Sequence, residues 1–344
     1  MKSEQTSPGQ RPTLRDVAAR AGVSRALVSI VMRGAPGASA ASRERVLHVA
    51  AEMNYRPDAR ARSMASKSSP LIGVVYRQFG LFHQELLDGL YAAADAAGYD
   101  LILSAMTAHR DEKRASETLL DFRCDVIILL GPEGGTPVLA GRLPVVVVGW
   151  HVPVRTVDVV RCSDDQGAQQ AVDHLTQLGH RTITYVDGGP GPVSGARWQA
   201  YRAAMHRRGL PDGLDHQAGG LNQEHGVAAA YELMESAMLP TAVVAYNDEV
   251  AAGLIQTFRH AGLRVPQDIS VVGWDDSSLA RLPHIDLTTV RQDQTELARI
   301  AVQRGVARLA AAYDASRDVV LPTELILRSS TGPPDRPHSL PRRP

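Results

Sequence analysis

The sequence is poor in cysteine and in aromatic residues, and it has no long hydrophobic run. Cys124 and Cys162 are the only 2 cysteines in 344 residues, which is too few for a disulfide framework and favours buried, reduced thiols. No uninterrupted run of about 18 apolar residues occurs, so we expect no membrane-spanning helix. The segment 1–16 lacks the apolar stretch of a secretory signal. We therefore expect a cytoplasmic protein without a membrane partner.

The motifs of familiar catalytic and metal sites are also missing. G-x-S-x-G, H-E-x-x-H, Walker A and paired-cysteine motifs do not occur, and the 12 histidines are scattered. His174 and His180 lie around a predicted helix end, where capping or solvent exposure fits better than metal binding. The glycine-rich segment 188–195 follows a strand but lacks the Lys-Ser/Thr of a phosphate loop. We predict a protein that is not an enzyme, with no metal site and no cofactor.

Charge is balanced overall but unevenly divided along the chain. Basic and acidic residues number 37 each, yet residues 1–67 carry 12 basic and 5 acidic side chains. A basic N-terminal segment followed by an acidic remainder indicates that this segment meets a polyanion. A basic disordered leader is the alternative, but it does not explain the strong patterning of residues 13–55.

Three short helices are predicted in this basic segment. Thr13 and Asp16 can form a capping box before the first helix, and Gly22 can end it in the left-handed conformation. Ser24 and Ser39 can cap the second and third helices. The apolar positions recur at helical spacing: Leu14, Val17, Ala18 and Ala21; Leu27, Val28, Val31 and Met32; Val46, Val49, Ala50 and Met53. The spacing predicts a helix-turn-helix closed by a third helix, and after it a short hinge helix over 58–65.

From residue 71 the pattern changes to Val- and Ile-rich runs that alternate with amphipathic stretches. The runs LIGVVY, DLILS, DVIILL, PVVVVGW, TITYV, AVVAY and ISVVGW are typical of buried parallel strands. The stretches predicted to be helices are 82–97, 111–122, 165–178, 196–208, 223–237 and 248–261. So many alternating elements exceed one sheet, which favours an α/β body of two doubly wound lobes.

Several long motifs resemble those of the LacI/GalR family of transcriptional regulators. The resemblance is carried by LRDVAARAGVSRALVSIVMRG, SRERVLHVAAEMNYRPDARARSM, IGVVY, LTQLGHRTITYV, YNDEVAAG, GLRVPQDISVVGWDDSSLA and LTTVRQ. It spans roughly residues 13–330. It implies a repressor with a helix-turn-helix head and a hinge helix, followed by a periplasmic-binding-protein-like body. Such a protein binds operator DNA as a dimer and holds a small-molecule effector, a sugar or related metabolite, between two lobes.

The resemblance also implies domain boundaries. They are a disordered leader (1–12), a DNA-binding domain (13–56), a hinge helix and linker (57–69), a body (70–330) and a disordered, proline-rich tail (331–344). Lobe 1 is expected over about 70–162 plus 292–320, and lobe 2 over about 163–291 plus 321–330. The tail contains no leucine heptad, so a homodimer rather than a tetramer is expected.

The implied DNA-binding residues lie in the head and in the hinge. They are Thr13, Ser24, Arg25, Ala26, Ser29, Ile30 and Arg33, with Arg60, Arg62 and Met64 in the hinge. Arg25 can donate two hydrogen bonds to guanine, and Met64 can wedge between base pairs or pack against its dimer mate. The family's usual arginine is absent at Ile30, which either contacts an apolar group such as a thymine methyl or is buried in the head.

The implied effector contacts are Phe82, Arg197, Asn247 and Asp275. Arg197 and Asp275 are expected to clamp a polyol from opposing lobes, because both can form paired hydrogen bonds. Asp248 is interpreted as a helix cap, and for Asn247 a cap is the alternative to ligand contact.

The aromatic part of the expected sugar site is incomplete in this sequence. Leu221 and Gln294 stand where the family often has aromatic residues that stack on sugars, which weakens the sugar inference. Trp150, Trp198 and Trp274 can compensate, although large aromatics are more often core residues.

Two other classes of protein share parts of this pattern. A solute-binding module for transport would have the same body, but the missing signal and the basic head argue against it. A two-lobed enzyme such as a sugar kinase needs a phosphate loop and a catalytic base, and neither motif is found. A ligand-responsive transcriptional regulator is the prediction that accounts for both the head and the body.

Overall fold

A computed structural model describes residues 12–55, 70–77, 80–131, 139, 141–211, 215–216, 220–236, 238–310 and 316–335. The chain divides into two compact units between residues 69 and 70. None of the helices in the described ranges combines the length and the apolar character that crossing a bilayer requires.

In its described residues, the N-terminal unit, called the head, has three helices around one small core. They are α1 (Leu14–Ala21), α2 (Arg25–Met32) and α3 (Ala40–Glu52). Val17, Val28 and Val46 are fully buried at the centre, one from each helix. Because helices this short are marginal alone, the shared core is what holds them together.

The predicted caps of the first two helices are confirmed. The Thr13 hydroxyl accepts the Asp16 N–H at 3.4 Å, and the Asp16 carboxylate accepts the Thr13 N–H at 2.7 Å. Gly22 has φ +66° and ends α1 in the left-handed region. The Ser24 hydroxyl accepts the Leu27 N–H at 3.2 Å. These contacts fix the turn and so direct the first turn of α2.

The C-terminal unit, called the body, contains two six-stranded sheets. The strands are β1 (Leu71–Arg77), β2 (Asp100–Met106), β3 (Val126–Leu130), β4 (Val145–Val148), β5 (Val157–Cys162), β6 (Ile183–Val186), β7 (Asp215–His216), β8 (Ala242–Ala245), β9 (Ser270–Asp275), β10 (Thr288–Arg291), β11 (Asp318–Leu321) and β12 (Glu324–Ile326). The first sheet has the order β11-β5-β4-β3-β1-β2, and the second has β12-β10-β9-β8-β6-β7. Only β12 runs antiparallel to its described neighbour, β10.

Seven helices and one short 3-10 helix, Ser278–Arg281, accompany the sheets in the described residues. The helices are α4 (Leu81–Ala96), α5 (Glu112–Asp121), α6 (Asp164–Gln177), α7 (Pro192–Arg207), α8 (Gln223–Glu235), α9 (Asp248–His260) and α10 (Gln294–Leu309). Helix α7 begins four residues before the predicted start of 196, because Pro192 occupies the first turn, where proline is tolerated. No helix was predicted for 294–309, since the buried side of α10 includes small residues such as Ala298 and Ala301 that give a weak pattern.

The chain passes between the two sheets after β5, after β10 and after β11. We call the first sheet with α4, α5 and α10 lobe 1, and the second sheet with α6 to α9 and the 3-10 helix lobe 2. Ligand sites of doubly wound sheets gather at the carboxyl ends of the strands. The first turn of α4 follows β1, and Asp275 ends β9, so both lie at such ends.

His174 and His180 anchor the segment after β12. His180 is fully buried, and its ring nitrogens lie 2.9 Å from the Thr241 hydroxyl and from the Gly332 carbonyl oxygen. His174 Nε2 lies 2.9 Å from the Thr331 hydroxyl. Burial lowers the pKa of both rings. The expectation of helix capping or solvent exposure is therefore wrong for His180, and the predicted start of the disordered tail at 331 is too early.

Helices α8 and α9 approach each other through two glycines. A Cβ at Gly253 would overlap the carbonyl oxygen of Gln223, and one at Gly226 would overlap that of Val250. We predict that Gly253→Ala lowers the free energy of unfolding by about 1–3 kcal/mol, the usual cost of overpacking. Urea unfolding of the full chain measures this value.

Gly195→Ala is the matched control for that substitution. Gly195 also lies within a helix, α7, but a Cβ there would meet no atom within 4 Å. Alanine should therefore leave the stability unchanged or raise it by up to about 1 kcal/mol through its better helix propensity. Equal effects of the two substitutions would contradict the steric explanation.

Candidate functional site

The first turn of α2 presents the polar surface of the head. Arg25 and Ala26 are exposed, and Ser29 is half-buried one turn later. The Ser24 side chain is engaged as the cap of this helix, and the Thr13 side chain is engaged in the capping box of α1. A helix start that carries one exposed arginine among small side chains can approach the edges of base pairs closely.

Ile30 and Arg33 lie farther along the same helix. Ile30 is half-buried, and a Cβ at Gly37 would lie 3.9 Å from both its Cδ1 and its Cγ2, so it borders the loop after α2. It lies outside the fully buried core that Val28 and Val31 form with α1 and α3. Arg33 Nε donates to the Ser29 carbonyl oxygen at 3.1 Å, which folds this side chain back onto its own helix.

Three predicted DNA-binding residues, Arg60, Arg62 and Met64, lie outside the described residues, as does the predicted hinge helix around them. Their assignment stays a prediction that rests on the sequence resemblance.

Arg197 is the centre of the polar cluster in the body. It projects from α7 and is 5% exposed. Its Nε donates to Asp164 at 3.3 Å, and its Nη1 donates to the Tyr246 carbonyl oxygen at 2.7 Å. Its guanidinium carbon lies 4.6 Å from the ring centroid of Trp274 and 4.8 Å from that of Tyr246. These contacts fix the guanidinium plane before any ligand arrives.

Asp275 faces Arg197 at the end of β9. Its Oδ1 lies 3.7 Å from Arg197 Nη2, too far for a hydrogen bond, and accepts the Gln292 amide at 2.8 Å. Its φ of +114° is strained for a residue with a side chain. Burial raises the pKa of both Asp275 and Asp164, and the positive charge of Arg197 opposes both shifts. The site therefore holds two carboxylates around one arginine.

The structure corrects the predicted clamp in one respect. Arg197 on α7 and Asp275 on β9 both belong to lobe 2, so they do not face each other from opposing lobes. Sequence reasoning also missed Asp164, which lies at the start of α6 directly after β5. Asp164 follows a strand, as Asn247 does, and this position could have marked it as a candidate. The family resemblance, however, did not include Asp164.

Asn247 and Asp248 have structural partners. The Asn247 side chain accepts the Val250 N–H at 2.8 Å and donates to the Leu221 carbonyl oxygen at 2.8 Å, so it caps α9. Asp248 does not cap, contrary to the prediction. Its buried carboxylate accepts from the Ser277 N–H at 2.7 Å and from the Thr289 hydroxyl at 2.6 Å. Burial raises the pKa of Asp248 to about 7.

The first turn of α4 brings lobe 1 to this cluster. Phe82 is half-buried and packs edge-to-face against His83, with ring centroids 5.4 Å apart. Burial, together with the charge of Arg197, lowers the pKa of His83 to about 4, so the ring is neutral at pH 7. Phe82, which the resemblance implies as an effector contact, therefore lies on the first turn of α4 in lobe 1.

The three tryptophans pack against the body's apolar cores. Trp274 is 1% exposed, and Trp198 stacks on Tyr201 with centroids 5.5 Å apart. Trp150 packs against the core of the first sheet. The core interpretation of these residues fits better than stacking on a ligand.

The glycine-rich segment 188–195 closes on itself. The Gly188 N–H donates to the Ser194 hydroxyl at 3.1 Å, and α7 begins within the segment at Pro192. It serves to place Arg197 one turn later.

The cluster can hold a ligand hydroxyl pair. Asp275 Oδ2 accepts no hydrogen bond from the described residues, and Arg197 Nη2 donates none there. A carboxylate oxygen and a guanidinium N–H side by side form the acceptor and donor that a vicinal diol requires. A protein that joins such a body to a helix-turn-helix head is a DNA-binding regulator of transcription controlled by a small molecule.

Comparison with known proteins gives the family. Residues 13–58 match the model for bacterial regulatory proteins of the lacI family, and residues 172–331 match a periplasmic binding protein-like domain. The ribose operon repressor of Haemophilus influenzae is 31% identical over 329 residues, which cover 92% of this chain and 98% of that protein. The chain belongs to the LacI family of bacterial regulatory proteins.

Two solved structures share the fold over nearly the whole chain. The Lac repressor dimer bound to operator and the anti-inducer ONPF matches with a TM-score of 0.80 at 27% identity, covering 94% of this chain and 100% of that chain. The complex of the transcriptional regulator CelR with cellobiose matches with a TM-score of 0.70 at 28% identity, covering 93% and 100%. The predicted fold class, a helix-turn-helix head followed by a periplasmic-binding-protein-like α/β body, is confirmed.

Proposed function

We propose that this regulator is a cytoplasmic repressor that binds operator DNA as a homodimer and is controlled by a carbohydrate held between the lobes of its body. The observation that carries the ligand half is the pairing of Arg197 with Asp275. Arg197 Nη2 and Asp275 Oδ2 have no hydrogen-bond partner among the described residues, so this donor and this acceptor suit a sugar diol. The CelR–cellobiose complex supports the class of ligand by similarity.

The DNA half rests on α2. Its exposed first turn presents Arg25 to the major groove, and Ala26 leaves room for close approach. One short helix offers too few base contacts for specific affinity, so two heads on a two-fold operator are needed. The proposed boundaries are a DNA-binding domain over 13–56, a hinge over 57–69 with Arg60, Arg62 and Met64 on DNA, and a body that begins at 70 and extends beyond 330 to include the anchored residues 331–335.

The test uses two measurements on the full chain. Mobility shifts with genomic fragments near its own gene should show specific, salt-sensitive binding. A thermal-shift screen of mono- and disaccharides should show concentration-dependent stabilisation by at least one of them. No specific fragment at any salt concentration would refute the operator role, and no stabilising sugar would refute the ligand class alone.

Ile30 is proposed to set part of the operator preference. Ile30 is half-buried beside Gly37 rather than in the core, so a longer polar side chain can turn outward. Ile30→Arg should change the preferred base at one position of each half-site by about 1–3 kcal/mol of discrimination. Selection of bound sequences from a randomised operator library measures this change.

Ile30→Val is the matched control, since it keeps the apolar surface and should keep the operator preference. Circular dichroism of the head separates specificity from folding. Loss of the helical signal in Ile30→Arg would show that Ile30 acts as a core residue instead.

A further inference from the structure

Helix α4 in lobe 1 begins without a cap from its own segment. Gly80 precedes the helix and offers no side chain to its free N–H groups. Instead, the carboxylate of Glu249, in the first turn of α9 in lobe 2, accepts the Leu81 N–H at 2.9 Å. A Cβ at residue 80 would overlap this carboxylate, so glycine permits the approach. The cap of this lobe 1 helix is therefore supplied by lobe 2.

The reverse arrangement occurs at the 3-10 helix of lobe 2. Ser277 precedes it, but its hydroxyl donates to Asp248 at 2.9 Å and makes no cap. Glu85, on α4 of lobe 1, accepts the Ser278 N–H at 2.8 Å. Arg281 Nη2 lies 3.8 Å from the same Glu85 carboxylate. Because the Arg281 side chain is exposed to solvent, this ion pair is weaker than the hydrogen bond from the Ser278 N–H. Each lobe thus caps a helix start of the other.

Gln294 connects this pair of caps to the ligand site. Its side-chain nitrogen lies 3.4 Å from Glu85 Oε2 and donates to the Asp275 carbonyl oxygen at 3.1 Å. Gln294 stands where the family often has an aromatic residue. In this chain the Gln294 amide contacts both Glu85, which caps the 3-10 helix, and Asp275, whose carboxylate is proposed to bind the ligand.

We propose that Glu249 and Glu85 form a reciprocal interlobe latch, which stabilises the lobe arrangement seen here and which a ligand at Asp275 influences through Gln294. A carboxylate at a helix start satisfies an unpaired N–H and complements the positive end of the helix dipole. Both contacts exist only while the lobes are together. Such contacts shift the balance between lobe arrangements because they favour one of them alone.

The latch deepens the proposed function, because it names the contacts through which lobe movement is controlled. It uses neither the DNA-reading surface nor the atoms that face the ligand. A test without DNA or ligand therefore separates its failure from failure of the proposed function.

Hydrogen exchange of the full chain, read by mass spectrometry, tests the latch. Glu249→Ala should speed amide exchange in the peptide that covers 80–86 about tenfold, as expected for loss of a helix cap. Because the caps break together when the lobes part, the same variant should also speed exchange in 277–282. Glu85→Ala should accelerate both peptides as well. Acceleration confined to the directly capped peptide would overturn the latch and leave two local caps.

Matched variants distinguish the latch from general damage. Glu224→Ala removes an exposed glutamate from the first turn of α8 and should change neither peptide. Glu249→Gln keeps an accepting oxygen and should stay within about twofold of the unmodified chain; acceleration equal to that of Glu249→Ala would overturn the hydrogen-bond assignment.

Gly80→Ala gives an independent test, because it displaces Glu249 while leaving both glutamates in place. It should accelerate exchange in 80–86 and 277–282, and unchanged exchange in both would overturn the proposal. Slow exchange in 126–130, the fully buried β3, shows in every variant that the fold is intact.

Discussion

Replacing Arg25 with alanine should strongly weaken specific operator binding while leaving the head folded. Arg25 is exposed at the first position of α2, and the Ser24 cap fixes the direction of that turn. A bidentate arginine contact to guanine contributes about 1–3 kcal/mol of discrimination. Since a dimer presents two such contacts, we expect a loss of roughly 30-fold to 10⁴-fold in operator affinity. Mobility shifts at one fixed salt concentration measure the affinity for the operator and, for comparison, for a fragment of scrambled sequence.

Two variants separate base reading from simple loss of charge. Arg25→Lys keeps the charge but not the planar fork, so it should retain binding to the scrambled fragment and lose the preference for the operator. Arg45→Ala removes another exposed arginine, on α3, and should keep that preference. If Arg25→Lys preserves the preference, Arg25 contacts phosphate rather than a base.

Replacing Arg197 with alanine should eliminate the response to sugar and destabilise the body. The substitution removes the proposed donor to the ligand and leaves the buried Asp275 and the half-buried Asp164 without their cation. Breaking a buried ion pair by removing one partner typically costs about 3–5 kcal/mol. A sugar that stabilises the unmodified chain should give no thermal shift with this variant, whereas operator binding persists at temperatures where the body remains folded.

The stability loss should depend on pH in a defined direction. In the folded chain, burial raises the pKa of Asp164 and Asp275 above the ordinary value of about 3.9, so the folded state binds more protons than the unfolded one. The contribution of these two groups to the stability then falls as pH rises above about 4, and removal of Arg197 strengthens this trend. The deficit of Arg197→Ala should be larger at pH 7 than at pH 4.5.

Arg202→Ala is the control on the same helix. Arg202 is exposed and lies over the Trp198 ring, with 5.7 Å from its guanidinium carbon to the ring centroid. Its removal should change neither the sugar response nor the pH dependence. A normal sugar response in Arg197→Ala would show that the ligand binds elsewhere.

The head was predictable from the sequence to the level of single hydrogen bonds. Thr13, Asp16 and Ser24 lie three residues from the groups they cap, and Gly22 donates to a carbonyl four residues back, so local spacing contains the information. The position of Ile30 was not predictable in this way. It borders a loop whose path depends on how α3 packs, and helical periodicity gives only the direction of the side chain.

The ligand site was predictable in its residues but not in its geometry. Arg197 and Asp275 were recognised by resemblance, and both fall within the bounds expected for lobe 2, which the expected clamp from opposing lobes overlooked. The role of Asp164 was not recognised. The contacts of Asp248 were not predictable either, because Asn247 and not Asp248 caps α9. A short polar residue at a helix start has several possible partners, and the neighbouring strands decide among them.

By itself, the sequence determined the helices of the head, the basic charge that directs it toward DNA, and the alternation of strands and helices in the body. These follow from patterns of fewer than about 20 residues, over which caps and periodicity act. Only the tertiary structure decided which distant groups meet. Arg197 and Asp164 are separated by 33 positions, and Glu249 and Leu81 by 168. Contacts over such separations depend on how the two lobes pack, because spacing along the chain does not specify which helix starts lie opposite which carboxylates.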